Sequence, residues 1–595
     1  MLARLDGLLK KYYATAAWLL ILVAVVFYHG VLTCGFVFDD LGLILLTPYI
    51  KNPHLWRQIF LGPLLSFAGP AIPGSFYRPL GMFSFWLVCR VAGLAPGAYH
   101  LFQLALYALA VWTVYRIGRK LLRSELAAFA GALLWTLHPL HVEAVAWVSA
   151  IPDIGCGLFY LLGFWFFLRA EERSPPSFGY HALAGAVYFP ALFFKEVAFS
   201  FPLLVLAYWF CFSSGVPWLR RAFHWIPYVM AAAICAAIRV AVMGRFSTAS
   251  PLRDLNPRVI WTAVGLLGQH AKLFFWPVHL SEFRGFDLSA SLHSPWPWAS
   301  LVGLTVACVW RKRDPLLSFL LLWWFVTLLP CLDYRQLSFP LVEDQFSYLP
   351  SVGLCLALGY LAFVLAPRHF PKVRPTRVVA PALAVVAAFW MGQTLRSIPR
   401  WRNNDALFEY SLRASPNASM THFFNAERLL FTSGDLQSAA REFQVALQLN
   451  AQGFRPLPQV TYKSYVDLGE IALLQGHEPE ALDYLNRAVR LEPQSNAAYA
   501  ELGSMYFPHG DYARAAGFFQ QAVASNPMDL VSRFFLGTCW LKLGKPAQAA
   551  EQFRAAREAD PDYVQAYEAE ARALEAMGDL AGAARVRRMA ASAGH

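Results

Sequence analysis

Long apolar runs alternate with short polar stretches over the first two thirds of the chain, and this pattern ends near residue 397. A run of about 20 apolar residues is long enough for a helix to cross a bilayer. We therefore predict that this part of the chain is a bundle of transmembrane helices. Its candidate spans are 12–31, 99–117, 125–143, 153–169, 179–193, 197–212, 223–243, 260–276, 297–310, 315–332, 349–366 and 378–395.

The charges between these runs predict how the chain is oriented in the membrane. Basic residues cluster at 119–123, 311–313 and 368–377, and others precede the first run. Because basic loops stay in the cytoplasm, the N-terminus is predicted to be cytoplasmic and residue 397 to lie on the other side. That arrangement needs an odd number of spans. One of the apolar runs in 179–212 or 223–276 is therefore expected not to cross, which leaves about 11 spans.

Beyond residue 397 the chain repeats itself every 34 residues. This period is typical of the tetratricopeptide repeat (TPR), a helix–turn–helix unit that stacks into a solenoid. An earlier repeat at Gly434 is offset by an insertion near 451–458, and 401–416 is expected to be a partial repeat. The predicted fold is all-α, with a membrane domain at 1–397 and a TPR domain at 398–595. Residues that share the period are Gly476, Gly510, Gly544 and Gly578; Gly469, Gly503 and Gly537; Ala481, Ala515 and Ala549; and Pro493, Pro527 and Pro561.

Composition excludes several classes of protein. The chain is 57% hydrophobic and 15% charged, against about 25% charged in a soluble protein. Its net charge of +12 comes from basic residues at the ends of apolar runs, which indicates membrane topology and not nucleic-acid binding. The nine cysteines form no CxxC or zinc-binding pattern. Walker A, GxSxG and HExxH motifs are absent. The chain therefore lacks the residues that define P-loop ATPases and serine hydrolases.

Adjacent carboxylates follow the first predicted span. Asp39 and Asp40 begin the loop 34–98, in which 41–50 and 77–91 are predicted to be interfacial helices. A carboxylate at the membrane boundary is costly to place, and partial dehydration raises its pKa towards that of a general base. An ordinary pair of solvated loop acids is the alternative that the residues leave open.

Further polar residues are predicted to lie on the same, non-cytoplasmic side. Arginine is a preferred partner of phosphate, and an ion pair within an apolar run suggests function. The competing interpretations are a snorkelling arginine, a neutralised helix end and, for the histidines, a weak zinc site. The residues concerned are Arg78, His138, His141, Glu143, Lys195, Glu196, Asp344 and Tyr348, with Asp153, Arg284, Asp287 and Glu343 nearby.

Five short motifs occur in a characteristic order: FVFDD at 36–40, YRPL at 77–80, HPLHVEAVAW at 138–147, FFKE at 193–196 and YLPS at 348–351. With the spans and repeats, this order resembles the transmembrane-and-TPR protein O-mannosyltransferases and their bacterial relatives. Those proteins are C-type (GT-C) glycosyltransferases, which use polyprenyl-phosphate sugars. The resemblance extends over essentially the whole chain.

The resemblance implies a lipid-phosphate-linked, mannose-like donor, catalysis at the outer face and a polypeptide acceptor held in the TPR groove. Asp39 and Asp40 take the family's acidic position, with Asp40 as the expected general base. The eight residues from Arg78 to Tyr348 named above become candidates for binding donor phosphate or substrate. The family has a Glu-Arg pair near Tyr348, whereas this chain has Asp344-Gln345, so the donor contact there is expected to differ.

Other functions stay open at this stage. A membrane scaffold would use only the repeats, and a transporter would show repeated halves and charges at the bilayer midplane. No cofactor is certain, although a divalent metal held by Asp39 and Asp40 is an alternative. Short loops and the absence of an ER retention tail favour the inner membrane of a bacterium, with the TPR domain on the extracytoplasmic side.

Overall fold

The chain divides into two compact units. The computed structural model describes residues 2–64, 76–173, 177–212, 218–244, 256–335, 337, 341–369, 378–560 and 563–593. One unit holds residues 1–64 and 76–416, and the other holds 417–595. The division falls after the segment 401–416, whose helix Asn404–Ala414 belongs to the first unit. The basic stretch 370–377 and Pro561 lie outside the described residues.

Each predicted apolar run is helical in the first unit, and no strand occurs in the described residues. The break in the run 178–212 falls at Lys195, which has extended backbone angles. The helices are Tyr13–Tyr28, Pro96–Leu122, Glu125–Leu137, Ile151–Glu171, Phe178–Tyr188 with Ala191–Phe194, Phe201–Phe212, Trp218–Met243, Pro257–Phe275, Pro295–Trp310, Pro315–Leu328, Ser351–Tyr360 and Val379–Ser397.

Six helical segments in the described part of the chain are long and apolar enough to cross a membrane. Five shorter apolar helices accompany them. The unit is therefore a membrane bundle of α-helices, as predicted. The six long segments are Tyr13–Thr33, Pro96–Leu122, Val148–Glu171, Arg221–Met243, Ser351–His369 and Val379–Trp401.

Helix Pro257–Phe275 lies across the beginning of helix Pro295–Trp310. Near its start, the ring of Trp261 lies 6.3 Å from that of Trp298. At its end, the ring of Phe275 stacks 5.9 Å from that of Trp296. Residues 261 and 275 are about 20 Å apart along their helix, so both could not reach the same turn if the two helices ran side by side. This crossing favours the run 260–276 as the one that does not span, which would leave eleven candidate spans.

The loop between the first two long spans contains the short helices predicted for it. They are Leu41–Leu45, Pro48–Lys51 and Pro79–Ala92. Two of them begin with proline. The backbone N–H groups of the first helical turn have no acceptor within the helix, so proline, which lacks this group, loses no hydrogen bond there. Pro79 thereby fixes the start of its helix immediately after Arg78.

The second unit consists of five helix pairs. Neighbouring pairs pack on each other through small buried clusters, such as the cluster around Phe519 and Leu536. This is the stacking of a TPR solenoid, as predicted. The pairs are Ser419–Arg428 with Leu436–Gln452, Pro458–Leu474 with Glu478–Leu491, Asn496–Tyr506 with Tyr512–Ser525, Leu530–Lys542 with Pro546–Ala559, and Val564–Ala576 with Leu580–Ala593.

Glycine has two separate roles in these repeats. Gly476, Gly510, Gly544 and Gly578 join the two helices of a pair with φ between 72° and 83°, a backbone conformation that side chains disfavour. Gly503 instead faces Phe519, whose ring lies 2.9 Å from where a Cβ atom would be. Each 34-residue period therefore contains one left-handed glycine turn, and repeats such as that of Gly503 also contain one close helix contact.

The side chain of Asn450 forms hydrogen bonds with the insertion near 451–458. Its Oδ1 accepts a hydrogen bond from the backbone N–H of Leu457 at 2.9 Å, and its Nδ2 donates to the carbonyl of Leu457 at 2.9 Å. Nδ2 also lies 2.9 Å from the hydroxyl of Thr461, in the next helix. A single buried side chain therefore satisfies the backbone of the longer loop.

Phe519→Ala should destabilise the repeat unit by about 3–5 kcal/mol, because the ring is 1% exposed and its loss leaves a cavity between two repeats. Pulse proteolysis of the full chain in urea, followed by mass spectrometry of repeat peptides, measures this loss. Phe431→Ala makes the same chemical change at a side chain that is 66% exposed, and it should change the midpoint little. Equal shifts for both variants would contradict the packing described above.

Candidate active site

Two arginines share the carboxylate of Glu196. Arg78 donates from Nε at 3.0 Å and from Nη2 at 2.8 Å to Oε2, and Arg239 donates from Nη1 at 2.9 Å to Oε1. The helix is broken directly before Glu196, at Lys195, where the backbone is extended and a short helix follows. The bridge connects the loop 34–98, the broken helix and helix Trp218–Met243.

Lys195 makes the second ion pair of this region. Its Nζ lies 2.6 Å from Oδ1 of Asp153, in the first turn of helix Ile151–Glu171. Nζ also lies 5.3 Å from the centre of the Phe346 ring. Asp153 and Glu343 are close enough to interact electrostatically with Arg78. The Arg78 cluster, as we call it, consists of Arg78, Asp153, Lys195, Glu196 and Arg239.

The Arg78 cluster can accept one further negative charge. It has three cationic side chains and two carboxylates, and the side chains of Arg78 and Glu196 remain 17% and 25% exposed. Burial raises the pKa of the adjacent Glu343 to about 7, so a large share of this third acid is neutral at neutral pH. A partly open site with excess positive charge is suited to a phosphate group.

Asp40 is placed differently from the general base predicted for it. It is fully buried, and both carboxylate oxygens are occupied by hydrogen bonds. Val37 N–H donates to Oδ2 at 3.0 Å, while the N–H and hydroxyl of Ser149 donate to Oδ1 at 2.7 and 2.5 Å. Burial raises the pKa of Asp40 to about 7. Because the carboxylate has no open side, it holds two segments together, whereas its neighbour Asp39 is exposed.

Ser149 connects these acids with the Arg78 cluster. It lies in the short helix Val148–Ala150, directly before helix Ile151–Glu171. Asp153 is four residues further on, about one helical turn away. The hydrogen bonds of Asp40 to Ser149 therefore hold Asp39 on the side of the molecule where Lys195 and Asp153 meet.

His138 and His141 lie in the interior and do not belong to the Arg78 cluster. Both are 0% exposed. Nε2 of His138 is 3.1 Å from the carbonyl oxygen of Phe274, and Nε2 of His141 is 3.0 Å from the hydroxyl of Ser351. The ring nitrogens thus support neighbouring segments, so the geometry does not support the phosphate-binding role expected for these histidines.

Glu143, Asp344 and Tyr348 are also in the interior. Oε2 of Glu143 accepts the backbone N–H of Asp344 at 3.0 Å, and Asp344 pairs with Arg284 at 3.1 Å and with Arg400 at 3.6 Å. Tyr348 is 2% exposed, and its ring occupies the space that a Cβ atom at position 157 would need. These residues form a buried network beside the Arg78 cluster and present no open binding surface.

Sequence reasoning missed two arginines and misjudged one acid. Arg239 and Arg400 lie within long apolar runs, where a charge is itself a signal of function or of a buried partner. Asp287, expected among the outer-face polar groups, caps helix Leu288–His293 by accepting the N–H of Ala290 at 3.0 Å. Arg239 is therefore added to the candidate site and Asp287 is left out.

The residues do not fit a divalent metal at Asp39 and Asp40. Metal ligands need free oxygen lone pairs in a group of several donors. Asp40 uses its oxygens for three hydrogen bonds. Within the described ranges, no group of three or more His, Cys, Asp or Glu side chains could hold a metal ion.

Comparison with known families confirms the resemblance seen in the motifs. Residues 75–241 match the family described as dolichyl-phosphate-mannose-protein mannosyltransferase. This range contains every member of the Arg78 cluster. Tetratricopeptide-repeat families match residues 424–496, 466–529 and 507–573.

Curated relatives carry the name protein O-mannosyl-transferase. Tmtc1 of Drosophila melanogaster is 33% identical over 31% of this chain and 21% of its own length. TMTC4 of Homo sapiens is 24% identical over 71% of this chain and 64% of its own, and F38B6.6 of Caenorhabditis elegans is 23% identical over 73% and 62%. The chain thus spans between a fifth and just under two thirds of these relatives.

Two solved structures are similar to about a third of this chain. The crystal structure of a MamA protein is 22% identical and covers 29% of this chain and 91% of that chain, with a TM-score of 0.25. YrrB, whose title describes a TPR protein with an unusual peptide-binding site, is 21% identical over 31% of this chain and 92% of that chain, also with a TM-score of 0.25.

The raised pKa of Asp40 should make the chain less stable as pH increases. A carboxyl group in the unfolded chain titrates near pH 4, whereas the folded pKa is about 7, so folding favours the protonated form. The free energy of unfolding should therefore be highest below pH 4 and fall by up to about 4 kcal/mol as pH rises through 7. Asp40→Asn, which stays neutral, should flatten this dependence.

Thermal unfolding of the full chain in detergent between pH 5 and pH 8 measures the effect. Asp39→Asn removes a neighbouring charge that contributes least to the raised pKa of Asp40, so it should reduce the slope far less than Asp40→Asn does. If Asp40→Asn and the unaltered chain lose the same stability over this range, Asp40 is not the group that titrates.

Proposed function

We propose that the chain is an integral-membrane glycosyltransferase that moves a sugar from a polyprenyl-phosphate donor to a hydroxyl group of an extracytoplasmic polypeptide. The observation that carries this proposal is the Arg78 cluster. Three cationic side chains from separate segments converge there, and the cluster remains open to solvent. The match of residues 75–241 to a mannosyltransferase family favours mannose as the sugar.

The reaction has one proton transfer and one substitution. A base removes the proton of the acceptor hydroxyl as its oxygen attacks the anomeric carbon of the sugar. The bond between that carbon and the phosphate oxygen breaks, and the lipid phosphate leaves as an anion. Phosphate needs no proton to leave, so the requirement on the protein is to stabilise negative charge.

Arg78 and Lys195 are the proposed contacts to the donor phosphate. Arg78 uses Nε and Nη2 for Glu196, which fixes the plane of its guanidinium group and directs the remaining nitrogen away from the carboxylate. Arg239 holds the other oxygen of Glu196 and acts as a positioning residue. Lys195 is held by Asp153 in the same cluster.

Asp39 is the proposed general base. It follows the first span, is exposed, and is anchored by its neighbour Asp40 through Ser149. An exposed carboxylate can reach an acceptor hydroxyl, whereas the enclosed Asp40 cannot. Asp40 is thus a positioning residue for the segment that carries Asp39.

The repeat unit is the proposed acceptor-binding part. TPR solenoids present a groove along their stacked helices, and such grooves bind extended polypeptides. The charge bias of the loops and eleven spans would put this unit on the extracytoplasmic side of a bacterial inner membrane. A membrane scaffold is the competing function, and it would need the repeats but not the Arg78 cluster.

Asp39→Asn should lower sugar transfer by about 10²–10⁴-fold, because it removes the base and leaves the fold intact. The assay uses membranes that contain the full chain, a radiolabelled polyprenyl-phosphate mannose and intact-mass measurement of extracytoplasmic acceptor proteins. Asp40→Asn should lower both transfer and thermal stability. Unchanged glycan masses with Asp39→Asn would favour the scaffold.

Arg78→Lys should lower transfer by about 10²–10³-fold, since one ammonium cannot replace a guanidinium that contacts both Glu196 and phosphate. Arg90→Lys is the matched control, because Arg90 lies in the same loop and donates to the backbone carbonyls of residues 50 and 51 and to the sulfur of Cys89, and to no carboxylate within the described residues. Comparable losses for the two variants would place the donor phosphate elsewhere.

A further inference from the structure

A second cationic site lies outside the Arg78 cluster. A cavity of about 430 Å³ lies where the end of helix Pro257–Phe275 meets the following loop, and its lining includes Lys272, His279, Arg284 and Ser415. No carboxyl group is among the residues that line it. The site belongs entirely to the first compact unit.

The cations of this cavity are not neutralised to the same degree. Arg284 donates to Asp344 at 3.1 Å, and Asp344 in turn also faces Arg400 at 3.6 Å. Within the described residues, neither the ammonium group of Lys272 nor the imidazole of His279 makes a side-chain hydrogen bond or an ion pair. A positive charge without a partner therefore faces the cavity, which fits an anionic ligand.

His279 has an unusual backbone conformation that points to the same conclusion. Its φ is 51°, in the left-handed region that few residues other than glycine occupy, although asparagine, aspartate and histidine are enriched there. Strain of this kind is concentrated at sites that bind ligands. The position keeps an imidazole at the cavity although a glycine would relieve the strain.

Exposed aromatic rings indicate how deep in the membrane the cavity lies. Phe275 and Trp276 are 50% and 56% exposed, and Trp276 stacks on Phe389 at 5.7 Å. Tryptophan rings collect at the level of the lipid headgroups. Trp276 directly follows helix Pro257–Phe275, which crosses the start of helix Pro295–Trp310 instead of running beside it. The cavity therefore opens at the depth of lipid phosphates.

We propose that this cavity binds the phosphodiester headgroup of an anionic membrane phospholipid, with Lys272 and His279 as its principal contacts. The site is distinct from the proposed donor site, because none of its lining residues belongs to the Arg78 cluster. A bound lipid would anchor the crossing helix at the membrane surface. This binding does not depend on glycosyl transfer.

Binding of fluorescently labelled phosphatidylglycerol to the purified full chain in detergent micelles tests the proposal. Lys272→Glu should weaken binding about tenfold, whereas Lys272→Arg should retain it. Lys51→Glu is the matched control, since Lys51 is exposed in the loop 34–98 and distant in sequence from the cavity; it should change binding less than twofold. Arg78→Gln should also retain binding, which separates this site from the donor site.

Two results would overturn the proposal. Equal losses with Lys272→Glu and Lys51→Glu would mean that the lipid is attracted only by general charge. Displacement of the label by inorganic phosphate as effectively as by unlabelled phosphatidylglycerol would mean that the site takes free phosphate and not a lipid. The lipid-binding assay does not use sugar transfer, so both results can be interpreted even if no transfer is detected in the assays above.

Discussion

A charged side chain that is buried at the edge of an apolar bundle needs a partner of opposite charge. In this chain the bridge Arg78–Glu196–Arg239 supplies such partners. Taking an isolated charge out of water costs several kcal/mol, whereas a carboxylate between two guanidinium groups satisfies all three. The bridge also explains why the helix breaks at Lys195. An unbroken helix would direct Glu196 along one face, where it could not meet partners from two other segments.

The same demand produces the interior network around Asp344. Three acids, Glu143, Glu282 and Asp344, lie with Arg400 under almost no exposed surface. Arg284, whose side chain is 14% exposed, pairs with Asp344 from the edge of this network. Burial raises the pKa of Glu282, so the network need not carry three negative charges. The partly exposed Arg78 cluster and the buried Asp344 network thus contain similar residues, but the first is a candidate binding site and the second supports the fold. Access to solvent separates a candidate site from a structural core.

Much of the fold was predictable because it follows from local patterns. The spacing of Gly476 and Gly510 predicts the 34-residue repeat, and the apolar runs predict helices whose bounds differ by only a few residues. The role of Asp40 was not predictable, because its partner Ser149 is 109 residues away in sequence. His138 and His141 were misjudged for the same reason, since only tertiary contacts show that their rings are buried. Arg239 could have been found, because arginine in an apolar run is rare enough to be noticed.

The side chain of Asn450 shows how this architecture tolerates changes in length. Each repeat contacts only its neighbours, so an extra loop disturbs one interface and leaves the rest of the stack in register. Once an asparagine supplies the hydrogen bonds that the longer loop lacks, the insertion adds almost no strain. Repeats of this kind can therefore be lengthened, lost or duplicated over evolution while the membrane unit keeps its own constraints.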